Sequence, residues 1–386
     1  MILYSFIIPI ITCVILYIKF RKETVWWEYF AVFIPSILAS GLLYLMFQAG
    51  RTSDIKFESY RVVSIRHYDK WDEWIRKICT ERIKVGKDKY ITRTYDCSYR
   101  QIHHEYWEMT TSDGRIERIG KENYDYYRKL WGTPEKFIEC NRRYYKIDGD
   151  AQEYNWSGKI SSLVTVSRKR GYDNYFQSSL SLYSMKKISK DQAKVLGLYN
   201  YPRTNYSDNY NGIWIYDQNP IVTDSCSWYS PNSLDIRKLQ DLNCKSPKDF
   251  RCFILIYPAE KYGPDIVEFQ KSYWTGGNEN EVIFCIGLSK NQNISWARSF
   301  SWSAENRLET EILSEILPGD KFYMSVMIDK IGKAYLSGSW KPLKFSDYSY
   351  ISPELYTSDY IIIFIITILV NLGLSWYVIT NEYRNY

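Results

Sequence analysis

Tyr360-Ile361-Ile362-Ile363-Phe364-Ile365-Ile366-Thr367-Ile368-Leu369-Val370-Asn371-Leu372-Gly373-Leu374-Ser375-Trp376-Tyr377-Val378-Ile379 runs for twenty residues without a charge. At about 1.5 Å per residue a helix of that length covers the ~30 Å hydrocarbon core of a bilayer. The run therefore reads as a transmembrane helix, and the rest of the chain is read around it. Asn371 interrupts the apolar surface together with Gly373 and Ser375. An amide in hydrocarbon needs a partner, so Asn371 is expected to face other helices of the chain or an identical subunit, or to satisfy itself near the headgroups.

Two more apolar segments stand at the other end. Residues 2–18 carry no charge and contain Pro9, which membrane helices tolerate better than soluble ones. A basic leader and a small-x-small cleavage site are missing, so an uncleaved anchor is expected in preference to a signal peptide. Residues 25–47 open on Trp26, Trp27 and Tyr29, an interfacial aromatic cluster with Glu28 at headgroup level. Within them Ser36, Ala39, Ser40 and Gly41 form a small-residue face for close helix approach. The turn between the two segments holds Lys19, Arg21 and Lys22 against Glu23. Basic loops stay in the cytoplasm, which places residues 51–358 outside it and the tail after residue 379 inside.

The mean hydropathy of −0.38 conceals these segments by averaging. Residues 51–358 hold 46 Lys and Arg against 40 Asp and Glu, spread evenly. That balance is too mild for a nucleic-acid partner; the partners expected are the lipid bilayer and a protein partner or second copy. Of the eight cysteines, Cys13 lies in the first apolar segment. In an oxidising space Cys79, Cys97, Cys140, Cys226, Cys244 and Cys252 are disulfide candidates. Cys285, inside Val282-Ile283-Phe284-Cys285-Ile286, reads as the unpaired thiol of a buried strand.

The external region changes character along its length. Residues 51–230 read as β-rich: Tyr90–Tyr95 suits a strand, Val85-Gly86-Lys87-Asp88 a turn before it, and Asp113-Gly114 a second hairpin. A short helix fits residues 121–130. The stretch 199–216 interleaves Tyr199, Tyr201, Tyr206, Tyr210, Trp214 and Tyr216 with Asn and Asp, and reads either as a sugar- or peptide-stacking surface or as ordinary β packing. From residue 231 to 345 the elements alternate: helices at 233–242, 265–274, 306–317 and 321–331, and strands at 253–257, 282–288 and 294–300. This order predicts an α/β sandwich. The fold class is thus α+β, with three transmembrane helices, a β-rich part, an α/β part and a linker from 346 to the last span.

Gln270-Lys271-Ser272-Tyr273-Trp274-Thr275-Gly276-Gly277-Asn278-Glu279-Asn280-Glu281-Val282-Ile283-Phe284 resembles the core of TPM domains. In that family a helix ending in Trp leads through a Gly-rich loop and an Asp-Asn-Gly turn into a buried strand. Trp274, Gly276, Gly277 and Asn280 match; Glu279 stands where the family has Asp and Glu281 where it has Gly. The resemblance spans about residues 235–335. It implies an extracytoplasmic α/β module, of which some act as metal-dependent phosphatases and others as accessory subunits. Over the whole chain, Tyr95-Asp96-Cys97-Ser98-Tyr99, residues 271–280 and Ser299–Trp302 are similar to uncharacterised membrane proteins of tailed bacteriophages. That similarity implies a bacterial envelope as the setting.

Phosphate-loop, HExxH, GxSxG, CxxC and dinucleotide fingerprints do not occur. Two weaker constellations remain. Glu279, Asn280 and Glu281 beside the double glycine place carboxylates near backbone amides, a candidate divalent-cation or ligand loop. Cys97 and His103, with His104 adjacent, are candidate zinc ligands, although neighbouring strand residues point to opposite faces. The expectation is a non-enzymatic external binding or accessory module at a bacterial envelope, with a TPM-like metal-dependent hydrolase as its rival.

Overall fold

The computed structural model describes residues 2–20, 26–87, 89–137, 153–155, 164–179, 188–202, 213–214, 219–351 and 353–382. In chain order the helices are α1 (Ile2–Phe20), α2 (Trp26–Thr52), α3 (Lys121–Trp131), α4 (Tyr175–Ser178), α5 (Lys190–Leu196), α6 (Ser233–Asn243), α7 (Ile266–Tyr273), α8 (Arg307–Glu315), α9 (Met324–Leu336) and α10 (Thr357–Glu382). The strands are β1 (Ser53–Tyr68), β2 (Trp71–Ile75), β3 (Ile78–Lys84), β4 (Tyr90–Asp96), β5 (Tyr99–His103), β6 (Tyr106–Thr111), β7 (Ile116–Ile119), β8 (Glu135–Phe137), β9 (Glu153–Asn155), β10 (Thr165–Asp173), β11 (Ile213–Trp214), β12 (Ile221–Val222), β13 (Arg251–Pro258), β14 (Glu281–Leu288), β15 (Ile294–Ser301), β16 (Ser303–Glu305) and β17 (Lys341–Pro342). The chain is a mixed α+β protein. It divides into a helical unit (Met1–Ile55, Gly171–Lys187, Lys344–Tyr386) and a sheet unit (Lys56–Arg170, Ile188–Leu343).

In the helical unit, α2 and α10 are long and apolar enough to cross a membrane, through Trp26–Thr52 and Thr357–Thr380. The apolar stretch of α1 is shorter, Ile7–Lys19. The three helices pack against one another. Leu16, Val32 and Val378 meet at one end of the bundle, while Arg51 pairs with Asp359 at the other. α2 is therefore antiparallel to α10. Of the four small residues expected at the helix contact, Ser36 and Ser40 are fully buried. Gly41 is a correction: a side chain added there would meet nothing within 4 Å, because its position lies on the rim of the contact.

The β-rich part of the sheet unit is a seven-stranded sheet built on the order β11-β10-β1-β6-β7, with β8 and β9 appended to β1. The Asp113-Gly114 turn joins β6 to β7, with Gly114 at φ 80°. Tyr60, Val62, Ile65 and Met109 bury one sheet face against Tyr124 and Tyr127 of α3. Beyond Tyr68 and Tyr106 the long β1/β6 hairpin continues outward as β2/β5 and then β3/β4.

The α/β part is a four-stranded sheet in the order β12-β13-β14-β15, parallel except for the β14/β15 pair. All eight residues of β13 and all eight of β14 are buried, the mark of central strands covered on both faces. Alternation sorts them. Cys252, Ile254, Ile256, Val282, Phe284 and Ile286 face α6, α8 and α9. Phe253, Leu255, Tyr257, Ile283 and Cys285 face α5 and α7. The result is three layers, helix over sheet over helix. Its helical cover begins at α5, well before residue 231, because Ala193, Leu198, Tyr199 and Val222 supply part of the second core.

Candidate functional site

The heads of the two central strands carry charge. Arg251 opens β13, Glu281 opens β14, and the two sit side by side in the parallel register. Both side chains are buried. A charge in such a place must be surrounded by hydrogen-bonding partners or neutralise itself, and the local chain supplies those partners.

The loop between α7 and β14 is shaped by backbone that side chains resist. Thr275, Gly276 and Gly277 have φ of 56°, 85° and 82°. A Cβ on Gly276 would lie 2.4 Å from the Trp302 indole nitrogen, and one on Gly277 would lie 2.8 Å from Ile283 Cδ1. Only glycine fits both the turn and the space. The turn aims Asn278 back at Glu281: its backbone N–H donates to Oε2 and its Nδ2 to Oε1, both at 2.9 Å. The Tyr201 hydroxyl donates to the same Oε1. Burial pushes the Glu281 carboxyl above the usual range, opposed by the Arg251 charge and the hydrogen bonds from Tyr201 and Asn278. Burial and the neighbouring Glu281 hold Tyr201 well above its ordinary value, so it stays a donor.

Arg251, on the same face, reaches the second sheet. Its Nη1 donates to Ser59 Oγ of β1 at 3.0 Å and to Ser167 Oγ of β10 at 3.2 Å. Asn280 Nδ2 donates to the Phe57 carbonyl at 3.1 Å, and Lys56 pairs with Glu279 at 2.6 Å. The loop is thus a buried joint between the two sheets of the unit. Gln270 locks the adjoining segment, accepting from Tyr199 N–H at 2.8 Å and donating to Tyr199 O at 3.0 Å, while Tyr257 donates its hydroxyl to the same Oε1. Trp274 Nε1 donates to Tyr199 O at 2.7 Å.

The side chains of the expected cation loop are engaged by protein partners. Glu279 is held by Lys56 and Glu281 by Tyr201 and Asn278, whereas Asn280 is spent on the Phe57 carbonyl. Among the described residues no group of three or more His, Cys, Asp and Glu is placed to hold a metal ion. Cys97 is bonded to Cys79, which removes its thiolate from any zinc site; His103 lies at the end of β5, opposite Trp71. Cys226, Cys252 and Cys285 are free thiols in buried positions, and Cys244 is buried as well. The expected disulfides at Cys226 and Cys252 are therefore corrected: these side chains serve as small apolar fillers, and burial raises the Cys226 thiol to about 11. Cys140 lies outside the described residues. Tyr199 and Tyr201, read as part of an aromatic surface, are instead core and joint residues; Tyr206, Tyr210 and Tyr216 lie outside the described residues.

Sequence reading found Glu279, Asn280 and Glu281 but missed Arg251, Tyr201, Asn278, Gln270, Ser59 and Ser167. Arg251 and Glu281 shared one usable signal, a charge abutting an uninterrupted apolar strand. The serine and tyrosine partners gave none, since each is brought in from distant sequence.

A second polar set lies inside the helical unit. Asn371 Nδ2 donates to Ser36 Oγ at 3.0 Å, and Ser36 Oγ donates to Val32 O at 2.7 Å. One turn along, Ser40 and Thr367 share a 2.7 Å hydroxyl contact, and Thr367 donates to Ile363 O at 2.7 Å. Arg51 closes that end of the bundle, its Nη2 2.6 Å from Asp359 Oδ2 and its guanidinium 3.6 Å above the Tyr356 ring. The outward faces carry Ile34, Leu38, Leu42, Ile365, Leu369 and Leu372, all exposed. No family model, no curated protein and no solved structure matches the chain.

Proposed function

We propose that the chain is a three-span membrane protein of a bacterial, phage-infected envelope whose sheet unit is a non-enzymatic binding or accessory module outside the cytoplasm. The observation that carries the membrane reading is the polarity of the bundle. Serine, threonine and asparagine are turned inward onto one another, and isoleucine and leucine are turned outward. Water would favour the reverse arrangement; hydrocarbon favours this one, since it turns these polar side chains away from lipid. α1 has nineteen residues, within the roughly 17–25 a span needs. The Cys79–Cys97 disulfide supports an oxidising compartment for the sheet unit, in line with the basic turn between α1 and α2.

The non-enzymatic reading is supported by the joint at Arg251 and Glu281, whose polar groups are spent on holding two sheets together. The TPM-like hydrolase is the competing proposal, favoured by the three-layer sandwich and the glycine loop. Phosphatase assay of the full chain with Ca²⁺ or Mg²⁺ separates them. No turnover with either metal is expected; metal-dependent turnover abolished by Glu279→Gln would establish the hydrolase.

A further inference from the structure

The outermost hairpin of the sheet unit is an unusual object in physical terms. β3 and β4 are paired along their whole length, Ile78 opposite Asp96 through Lys84 opposite Tyr90. Almost every residue of the pair is exposed on both faces. An isolated two-stranded ribbon is marginal in water, yet this one displays large apolar side chains at its far end: Val85 is 59% exposed, Ile91 58% and Tyr90 60%. Ile83 and Ile91 lie directly opposite each other, so alternation puts Ile83, Ile91 and Val85 on one face. From Tyr68 to the turn, the arm extends on the order of 50 Å at about 3.3 Å per residue. The Cys79–Cys97 bond crosses its middle.

Charge says what this end meets. Between residues 76 and 93 the sequence has seven Lys and Arg and two acids. Lys84, Lys87 and Lys89 surround the aliphatic cluster and are exposed. A second copy of the arm would bring like charges together, which opposes self-pairing. A nucleic acid would want a series of aromatic faces at the apex for stacking, where this chain sets a single tyrosine, Tyr90, beside two isoleucines and a valine. An aliphatic tip ringed by lysines matches a bilayer interface carrying anionic phospholipid. There the apolar side chains enter the acyl boundary, and the lysine stems lie along it with their ammonium groups at the phosphates.

We propose that residues 82–87 and 89–93, at the end of the disulfide-bonded arm, dock on an anionic phospholipid surface. This names the partner of the binding module proposed above. Its test is kept separate from the anchor by offering the lipid in trans. The full chain is placed in phosphatidylcholine nanodiscs and mixed with vesicles of pure phosphatidylcholine, or of phosphatidylcholine and phosphatidylglycerol in equal parts; co-flotation is the readout.

Flotation with the anionic vesicles alone is expected. The triple change Lys84→Glu, Lys87→Glu, Lys89→Glu should weaken it on the order of 100-fold, at about fivefold per lysine. Ile83→Ser with Ile91→Ser should weaken it about tenfold or more while leaving the Cys79–Cys97 bond formed by gel shift. Absence of flotation with anionic vesicles would overturn the proposal. So would flotation indifferent to both sets of changes, or loss with the lysines but none with the isoleucines, which would mark a purely electrostatic site for an acidic polymer. Chain that refuses nanodiscs and stays soluble would contradict the three-span reading while leaving the flotation arms readable.

Discussion

Asn371 of α10 donates its side-chain amide to Ser36 of α2 across 3.0 Å inside a bundle whose outer surface is isoleucine and leucine. The partner that a buried amide demands thus comes from the same chain, 335 residues away. Interhelical hydrogen bonds of this kind contribute about 0.6–2 kcal/mol each. Asn371→Leu and Ser36→Ala should each weaken the bundle by roughly 1 kcal/mol, with a coupling of about 0.5–1.5 kcal/mol in the double variant. The measurement is SDS-driven unfolding of the full chain in mixed micelles; strict additivity would show that the two side chains do not touch.

Glu281 and Arg251 predict a large truncation effect. Glu281→Ala leaves the buried guanidinium of Arg251 and the hydroxyl of Tyr201 without their carboxyl neighbour. Breaking such a buried set costs about 3 kcal/mol or more. Urea unfolding followed by near-ultraviolet circular dichroism reads it, and a loss below about 1 kcal/mol would count against the joint.

The same carboxyl sets a pH dependence. Its folded value is raised above 4.5, chiefly by burial, so the folded state holds the proton more tightly than the unfolded chain. Its contribution is full below about pH 4.5 and declines as pH rises through the raised folded value. Glu281→Gln does not titrate. The stability of the parent relative to this variant should therefore fall as pH rises from about 4.5 upward, and a difference that grows with pH would reverse the sign argued here.

Gly276 is at φ 85° with Trp302 against it. Gly276→Ala should destabilise the sheet unit by roughly 1–3 kcal/mol, combining backbone strain with displacement of the indole. Gly41→Ala in α2 faces open space and should leave stability within about 0.5 kcal/mol. Thermal unfolding of the two variants side by side tests the contrast.

Reduction should loosen only the arm. A disulfide closing a loop of this size contributes about 3 kcal/mol by restricting the unfolded chain. Cys79→Ser, or dithiothreitol, should open residues 76–98 to proteolysis while the buried β13/β14 core stays resistant. Simultaneous loss of both would mean the arm is integral to the core.

Residues that carry their own periodicity were legible in the sequence. The apolar runs became α1, α2 and α10, and the alternating elements after residue 231 became α6 through α9 and β13 through β15, each within a few residues of its expected bounds. Ser36, Ser40 and Asn371 were legible because a polar side chain in an apolar helix has few places to go but a helix contact. The joint was not. Ser59, Ser167 and Tyr201 reach Arg251 and Glu281 over 80 to 192 residues of chain, and no local pattern records such a meeting. Tyr199 and Tyr201 misled for the same reason: tyrosine among asparagines looks like surface until Gln270 and Glu281 close over it. The cysteines misled through composition, since a buried thiol and a half-cystine are the same letter.

The central claim is that three helices anchor a sheet unit lying outside the cytoplasm. Its most direct test is labelling of the full chain in intact bacterial cells with a membrane-impermeant maleimide, with and without a reductant, read as a gel shift after protease digestion to the arm fragment. The account predicts that Cys79 and Cys97 are inert before reduction and labelled from outside after it. Labelling of the two without reduction, and only once the inner membrane has been permeabilised, would place the sheet unit in the cytoplasm and contradict the account.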